Sequence, residues 1–155
     1  MSLSQTKLDK IITQAENNCI ESGGKLTAKR KSILTMLLVA DMPLSAYEIA
    51  EHYKDTFEQA IPVMSVYRML NFLILENLVH KLSLTNKYIA CSHITCDHAH
   101  QIPQFLICDE CHNVREAGIK KDIIKALQNS VESADFYLSS PQLELHGICK
   151  DCRPH

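Results

Sequence analysis

The sequence predicts an α+β chain in two parts: a set of short helices closed by a β-hairpin, then a small α/β unit tied together by metal. Three observations predict it. Apolar residues at helical spacing, broken by Gly and Pro, run to about residue 77. Two short apolar segments separated by a polar stretch follow directly. Six of the seven cysteines then lie beyond residue 90.

Residues 4–21 carry the stripe Leu8, Ile11, Ile12, Ala15, Cys19, and Gly23-Gly24 stops that helix. Thr27 caps a second helix with Ile33, Leu34, Leu37 and Leu38 facing a core, ended by Asp41-Met42-Pro43. Ser45 and Glu48 have the spacing of a capping box, which starts a third helix running to about Tyr53. Pro62 and Ser65 open a fourth, with Val66, Leu70, Leu73 and Ile74 inward, to about Asn77. Leu78–Leu82 and Lys87–Cys91 read as the arms of a hairpin. Helices followed by a hairpin is the order of a winged helix-turn-helix, in which the last helix enters the major groove. Beyond it, Gln104–Cys108 and Val114–Glu116 read as strands around a Cys-containing turn. Lys120–Ala134 is an amphipathic helix, and Phe136–Leu145 a further strand region interrupted by Pro141. The boundary falls near 84–92, giving a winged-helix domain over 1–85 and a metal-binding domain over 86–155.

Composition is that of an ordinary globular chain, 46% hydrophobic and 22% charged. The longest apolar run, Ile33 to Ala40, is too short to cross a bilayer, and the polar start MSLSQTKLDK holds no apolar leader core. The expected setting is the cytoplasm, without a membrane partner, and there reduced cysteines point to metal before disulfides. A net charge of −2 is unfavourable for a nucleic-acid binder. Any such binding must use local clusters such as Lys25, Lys29, Arg30 and Lys31, and must weaken steeply with salt.

Cys108-x2-Cys111 and Cys149-x2-Cys152 are the strongest signal. Two intervening residues let both thiolates of a turn reach one tetrahedral ion, and two such turns close a four-sulfur site that has no position for water. The alternatives are two unrelated reduced pairs or a redox pair. The 37 residues between the pairs exceed the spacing of a small zinc ribbon, so the insert must itself be folded. A looser set comprises His80, Cys91, His93, Cys96, His98, His100 and Glu116. Nitrogen, sulfur and carboxylate donors together suit zinc, and thiolate favours zinc over ferrous iron. Ligands drawn from both halves would fix the angle between them, as a ligand-controlled switch requires. His93 and Cys96 read more readily as bystanders, Cys19 as a core residue and His112 as an exposed turn residue.

These pieces together resemble the ferric uptake regulator family, and within it the zinc-uptake branch. The resemblance runs through Leu26-Thr27-Ala28-Lys29-Arg30, Leu44-Ser45-Ala46-Tyr47-Glu48, Ser65-Val66-Tyr67-Arg68-Met69-Leu70 and Leu78-Val79-His80-Lys81. It continues in Cys91, Ile107-Cys108-Asp109-Glu110-Cys111 and His146-Gly147-Ile148-Cys149-Lys150-Asp151-Cys152. It implies a structural zinc at Cys108, Cys111, Cys149 and Cys152. It implies a regulatory zinc at His80, Cys91, Glu116 and a histidine of the 93–100 stretch, taken as His100 with His98 as substitute. It also implies a homodimer that binds palindromic operator DNA as a repressor of zinc uptake genes, with zinc as co-repressor. Arg30, Tyr47, Ser65, Tyr67 and Arg68 match positions on or near DNA. The family usually has glycine where this chain has His112, and Pro-Gln-Arg where it has Ala28-Lys29-Arg30.

Two other classes stay open at this point. An iron, manganese or peroxide sensor would share the family's architecture, and a zinc-stapled protein-interaction module would explain the cysteine pairs alone. A zinc enzyme is disfavoured, since His-Glu-x-x-His, a phosphate loop and a nucleophile elbow are all missing from the sequence; no small organic substrate is expected.

Overall fold

The computed structural model describes residues 3–40, 42–96, 103–139 and 142–154. The chain divides into two compact units, Met1–Cys96 and Asp97–His155.

The first unit contains four helices: α1 (Gln5–Glu21), α2 (Ala28–Ala40), α3 (Ala46–Phe57) and α4 (Val63–Leu75). A hairpin of β1 (Val79–Leu82) and β2 (Lys87–Ala90) completes it. Local chemistry sets the helix ends. Ser4 Oγ accepts from the Lys7 N–H at α1, and Ser45 and Glu48 form a reciprocal capping box at α3. Gly23, at φ 85°, takes the left-handed turn after α1 that a side chain would resist. α3 runs four residues past the expected Tyr53. Nothing in that stretch breaks a helix, and Tyr53 and Phe57 pack ring to ring at 4.7 Å. Glu58, at φ 52°, finally turns it.

The apolar stripes converge on one core. Leu8, Ile12, Ala15 and Cys19 of α1 meet Ile33, Leu34 and Leu37 of α2, Ile49 and Tyr53 of α3, and Val66, Leu70 and Leu73 of α4. β1 and β2 pair antiparallel with His80 opposite Ile89, and Leu44 bridges to Tyr88 as a third short edge. Asparagine, which tolerates left-handed backbone, occupies the turns at Asn77 and Asn86. The first unit ends after Cys96 rather than at 85. β2 pairs with β1 residue by residue, and Cys91 and Ile94 are buried in the first core, so a cut at 85 would divide the hairpin.

In the second unit, β3 (Pro103–Cys108), β4 (Val114–Gly118) and β5 (Leu143–Gly147) form a sheet in the order β4-β3-β5. β4 is antiparallel to β3, and β5, which follows helix α5 (Lys121–Glu132), is parallel to it. Phe105, Ile107, Ile119 and Ile124 are buried here. Of the expected α5 stripe only Ile124 is buried; Leu127 and Val131 are half-buried and Ile123 is exposed. The strand expected over Phe136–Leu145 begins only at Leu143. Asp135, at φ 55°, turns the chain out of α5, and Phe136, Tyr137 and Leu138 remain exposed. Among the described residues no helix is long and apolar enough to cross a membrane.

Candidate metal centres and nucleic-acid face

The parallel register of β3 and β5 sets Cys108 opposite Gly147, two residues before Cys149. Two cysteine-bearing turns, 37 residues apart in the chain, are thereby brought side by side. Each is closed by backbone hydrogen bonds. The His112 N–H donates to the Cys108 carbonyl at 2.9 Å, and the Cys152 and Arg153 N–H groups donate to the Cys149 carbonyl at 3.1 and 3.0 Å. The Asp109 N–H donates to the Gly147 carbonyl at 2.8 Å, which links the two turns directly. His146 Nδ1 and Asp109 Oδ1, 2.9 Å apart, add a side-chain link. Both residues lie in the motifs quoted above, but nothing in the sequence pairs them across 37 positions.

The sulfurs of Cys108, Cys111, Cys149 and Cys152 all lie within 4.8 Å of one another. Thiolates bound tetrahedrally to zinc at about 2.3 Å stand about 3.8 Å apart. Cys111 and Cys149 Sγ are separated by 3.8 Å, far beyond a disulfide bond, and both are free thiols. The cluster therefore fits a tetrahedral ion. Its electrostatics point the same way. Backbone N–H groups of Cys111 and then Cys149 aim at the Cys108 sulfur and lower its pKa to about 6. Hydrogen bonding to Cys149, then to Cys111, keeps the Cys152 proton in place and raises its pKa to about 12. The Cys108 sulfur thus favours the thiolate, and a divalent cation would supply the charge that lets the other sulfurs join it.

His112 sits at φ 58°, in the left-handed region where glycine is at ease and histidine is strained. The glycine that the resemblance leads one to expect at this position would adopt that conformation without the strain.

A second donor pair lies on the hairpin. His80 is on β1, half-buried, and Cys91 follows β2 and is buried. Their ligand atoms lie within 4.8 Å of one another. The Cys91 N–H donates to the Leu78 carbonyl at 2.9 Å, which holds the residue against β1, and the His93 N–H donates to the Cys91 sulfur at 3.4 Å. Glu116 is on β4, half-buried and paired across the sheet with Phe105. His98 and His100 lie outside the described residues. Cys96 is exposed, and Cys19 is fully buried among apolar side chains, where burial first and the Glu76 charge second raise its pKa.

Among the residues matched to DNA contact, those of α4 lie on a helix that buries Val66, Leu70 and Leu73 and leaves Met64, Arg68, Asn71 and Leu75 exposed. Ser65 and Tyr67 are half-buried, and Tyr67 packs against the core. Tyr47 is 66% exposed on the first turn of α3. Arg30 behaves differently: its guanidinium lies 3.7 Å above the centre of the Phe72 ring and donates to the Lys25 carbonyl at 2.8 Å.

Residues 21–152 match the model of the ferric uptake regulator family. The zinc uptake regulation protein of Escherichia coli K12 is 32% identical over 97% of this chain and 85% of its own length. A zinc uptake regulator solved in complex with zinc and DNA superposes with a TM-score of 0.81 at 28% identity, covering 96% of each chain. The holo form of the regulator XcZur gives 0.76 at 33% identity, covering 93% of this chain and 97% of that one.

Proposed function

Starting from the fact that the chain belongs to the ferric uptake regulator family, we propose that it is a zinc-responsive repressor that binds operator DNA as a homodimer and controls zinc uptake genes. The carrying observation is the imidazole–thiol pair His80 and Cys91 on the hairpin of the helix-turn-helix unit itself. A nitrogen and a sulfur donor favour zinc over iron or manganese, and they stand on the body that would touch DNA. The zinc-binding and DNA-binding relatives named above support the same reading.

In this proposal two ions serve each chain. Cys108, Cys111, Cys149 and Cys152 hold the structural one, and His80, Cys91, Glu116 and His100 hold the regulatory one. Bound zinc supplies a doubly charged cross-link between donors that would otherwise repel or keep their protons. His80 and Cys91 would both hold the ion, and the His93 N–H directed at the Cys91 sulfur at 3.4 Å orients that side chain. The metal-loaded chain populates DNA-competent conformers that the metal-free chain samples less, so affinity for the operator follows the occupancy of His80 and Cys91.

Arg68, exposed on α4, has the reach for a bidentate contact with guanine in the major groove, while Ser65, Tyr67 and Tyr47 have hydroxyls suited to phosphate. Ile123, Phe136, Tyr137, Leu138, Leu145 and Ile148 leave the second unit with exposed apolar side chains, which a second copy would cover. Free thiols throughout suit the reducing cytoplasm.

The test uses a duplex selected from a random-sequence pool by the zinc-loaded full-length protein. Binding of that duplex is titrated with zinc, manganese and ferrous iron, each buffered at set free concentrations. Binding driven by zinc at the lowest free-metal concentration supports the proposal. Binding driven first by manganese or ferrous iron overturns the zinc assignment, and no selection from the pool overturns DNA binding.

A further inference from the structure

Arg30 stood among the residues matched to DNA contact, yet in the structure it is engaged inside the first unit. Its guanidinium plane covers Phe72 at 3.7 Å, and Nη1 donates to the Lys25 carbonyl at 2.8 Å. Phe72 belongs to the last turn of α4, the helix that carries Arg68. The same turn is held from other directions. A Cβ added at Gly24 would meet two Phe72 ring carbons and Glu76 Oε1 at 3.3 Å, so the chain before α2 lies close against it. Ser22, at the end of α1, donates its hydroxyl to the Glu76 carboxylate at 2.5 Å. The segment from Ser22 to Arg30 therefore grips α4 from Phe72 to Glu76.

We propose that Arg30 is a positioning residue for α4: through its stack on Phe72 it fixes the pose of the helix that presents Arg68 to DNA, rather than neutralising a phosphate. An α-helix is a stiff rod, so pinning its last turn sets where the exposed residues of its first turns point. Phe72 and Arg68 are about 6 Å apart along the axis. A guanidinium over an aromatic face, desolvated on one side and oriented by a backbone carbonyl, falls in the range where such contacts matter. Lysine would keep the charge without the planar fork. The inference rests on the reading of α4 as the DNA-contacting helix.

Two roles for Arg30 differ in what salt does. A phosphate contact adds about 0.9 to the slope of log affinity against log salt, whereas a stacked arginine acting through Phe72 adds nothing. The experiment is a double-mutant cycle of Arg30→Met and Phe72→Leu in the zinc-loaded full-length protein, binding the duplex selected above. It is run at a temperature where every variant remains folded, so lost stability alone leaves affinity unchanged. Each single change is expected to weaken binding about three- to thirtyfold with the salt slope of the wild type. The double variant should bind about as weakly as the weaker single one. A slope lowered by about 0.9 in Arg30→Met with Phe72→Leu binding normally would overturn the proposal, as would losses that multiply. The same cycle read by thermal unfolding without DNA is independent of the DNA reading. Coupled losses there confirm the stack, and additive ones overturn it. Coupled unfolding with unchanged DNA affinity overturns the positioning role. If the wild type itself selects no duplex, the DNA reading fails while the unfolding cycle still decides the stack.

Discussion

The two units of this chain reach order by different means. Twenty-one apolar residues are buried in the first unit against five, Cys108 among them, in the second, counted among the described residues. The first is an ordinary core into which four helices and a hairpin each contribute a stripe. The second has a three-stranded sheet, one helix whose apolar face is mostly uncovered, and four converging sulfurs. A structural zinc is worth about 10–16 kcal/mol in small peptides, more than such a core supplies by itself. On the proposed reading, metal serves two purposes in one chain: in place of a core in one unit, and as a signal added to a larger core in the other.

The largest effect should follow from breaking the four-sulfur cluster. Cys108→Ser removes a ligand worth a share of that binding energy, so the second unit should unfold and dimerisation be lost. Amides of α2 to α4, held by the first core, should stay protected. Hydrogen exchange read element by element checks this, and a protected β3 in the variant would deny the cluster its role. Next, Leu70→Ala opens a cavity in the first unit at a cost of about 2–5 kcal/mol. Leu70 is completely buried. Calorimetry should show the loss while the structural zinc stays bound; zinc loss in this variant would mean that the two units do not stand apart energetically.

Cys91→Ser tests the signalling side. The chain should remain folded with its structural zinc, while zinc-dependent duplex binding falls about a hundredfold or more in a fluorescence-anisotropy titration, a factor typical of a lost metal ligand or its support. Unchanged zinc dependence removes Cys91 from the regulatory set. The smallest effect belongs to His112→Gly. The histidine pays for its left-handed backbone, so glycine should stabilise the second unit by about 1 kcal/mol in thermal melts of the zinc-loaded protein. A destabilised variant would show that the imidazole makes up for the strain.

Much of this was legible in the sequence because it is local. The stripes of α1, α2 and α4, the Ser45–Glu48 capping box and the paired hairpin arms each lie within a few residues, and the structure repeats them. The two cysteine pairs were legible by spacing, and the parallel alignment of β3 with β5 explains how they meet. What stayed hidden depends on distant partners. The stack of Arg30 on Phe72 spans 42 positions, and nothing near residue 30 announces it. The link of Asp109 to His146 needs the β3–β5 register to be known first. The late start of β5 and the extension of α3 to Phe57 are end effects, decided by the turns at Asp135 and Glu58 rather than by periodicity. The first unit runs past the expected boundary because Cys91 and Ile94 are buried in its core, and burial there is not visible in the local pattern.

The central claim is that one ion builds the molecule and another controls it. Native mass spectrometry of protein purified without added metal, before and after a mild chelator, tests this directly when duplex binding is followed on the same samples. The account predicts two zinc ions per chain falling to one, with DNA affinity lost in step and the fold retained. A chain that binds the duplex equally well with one zinc, or that unfolds as the first ion leaves, would contradict it.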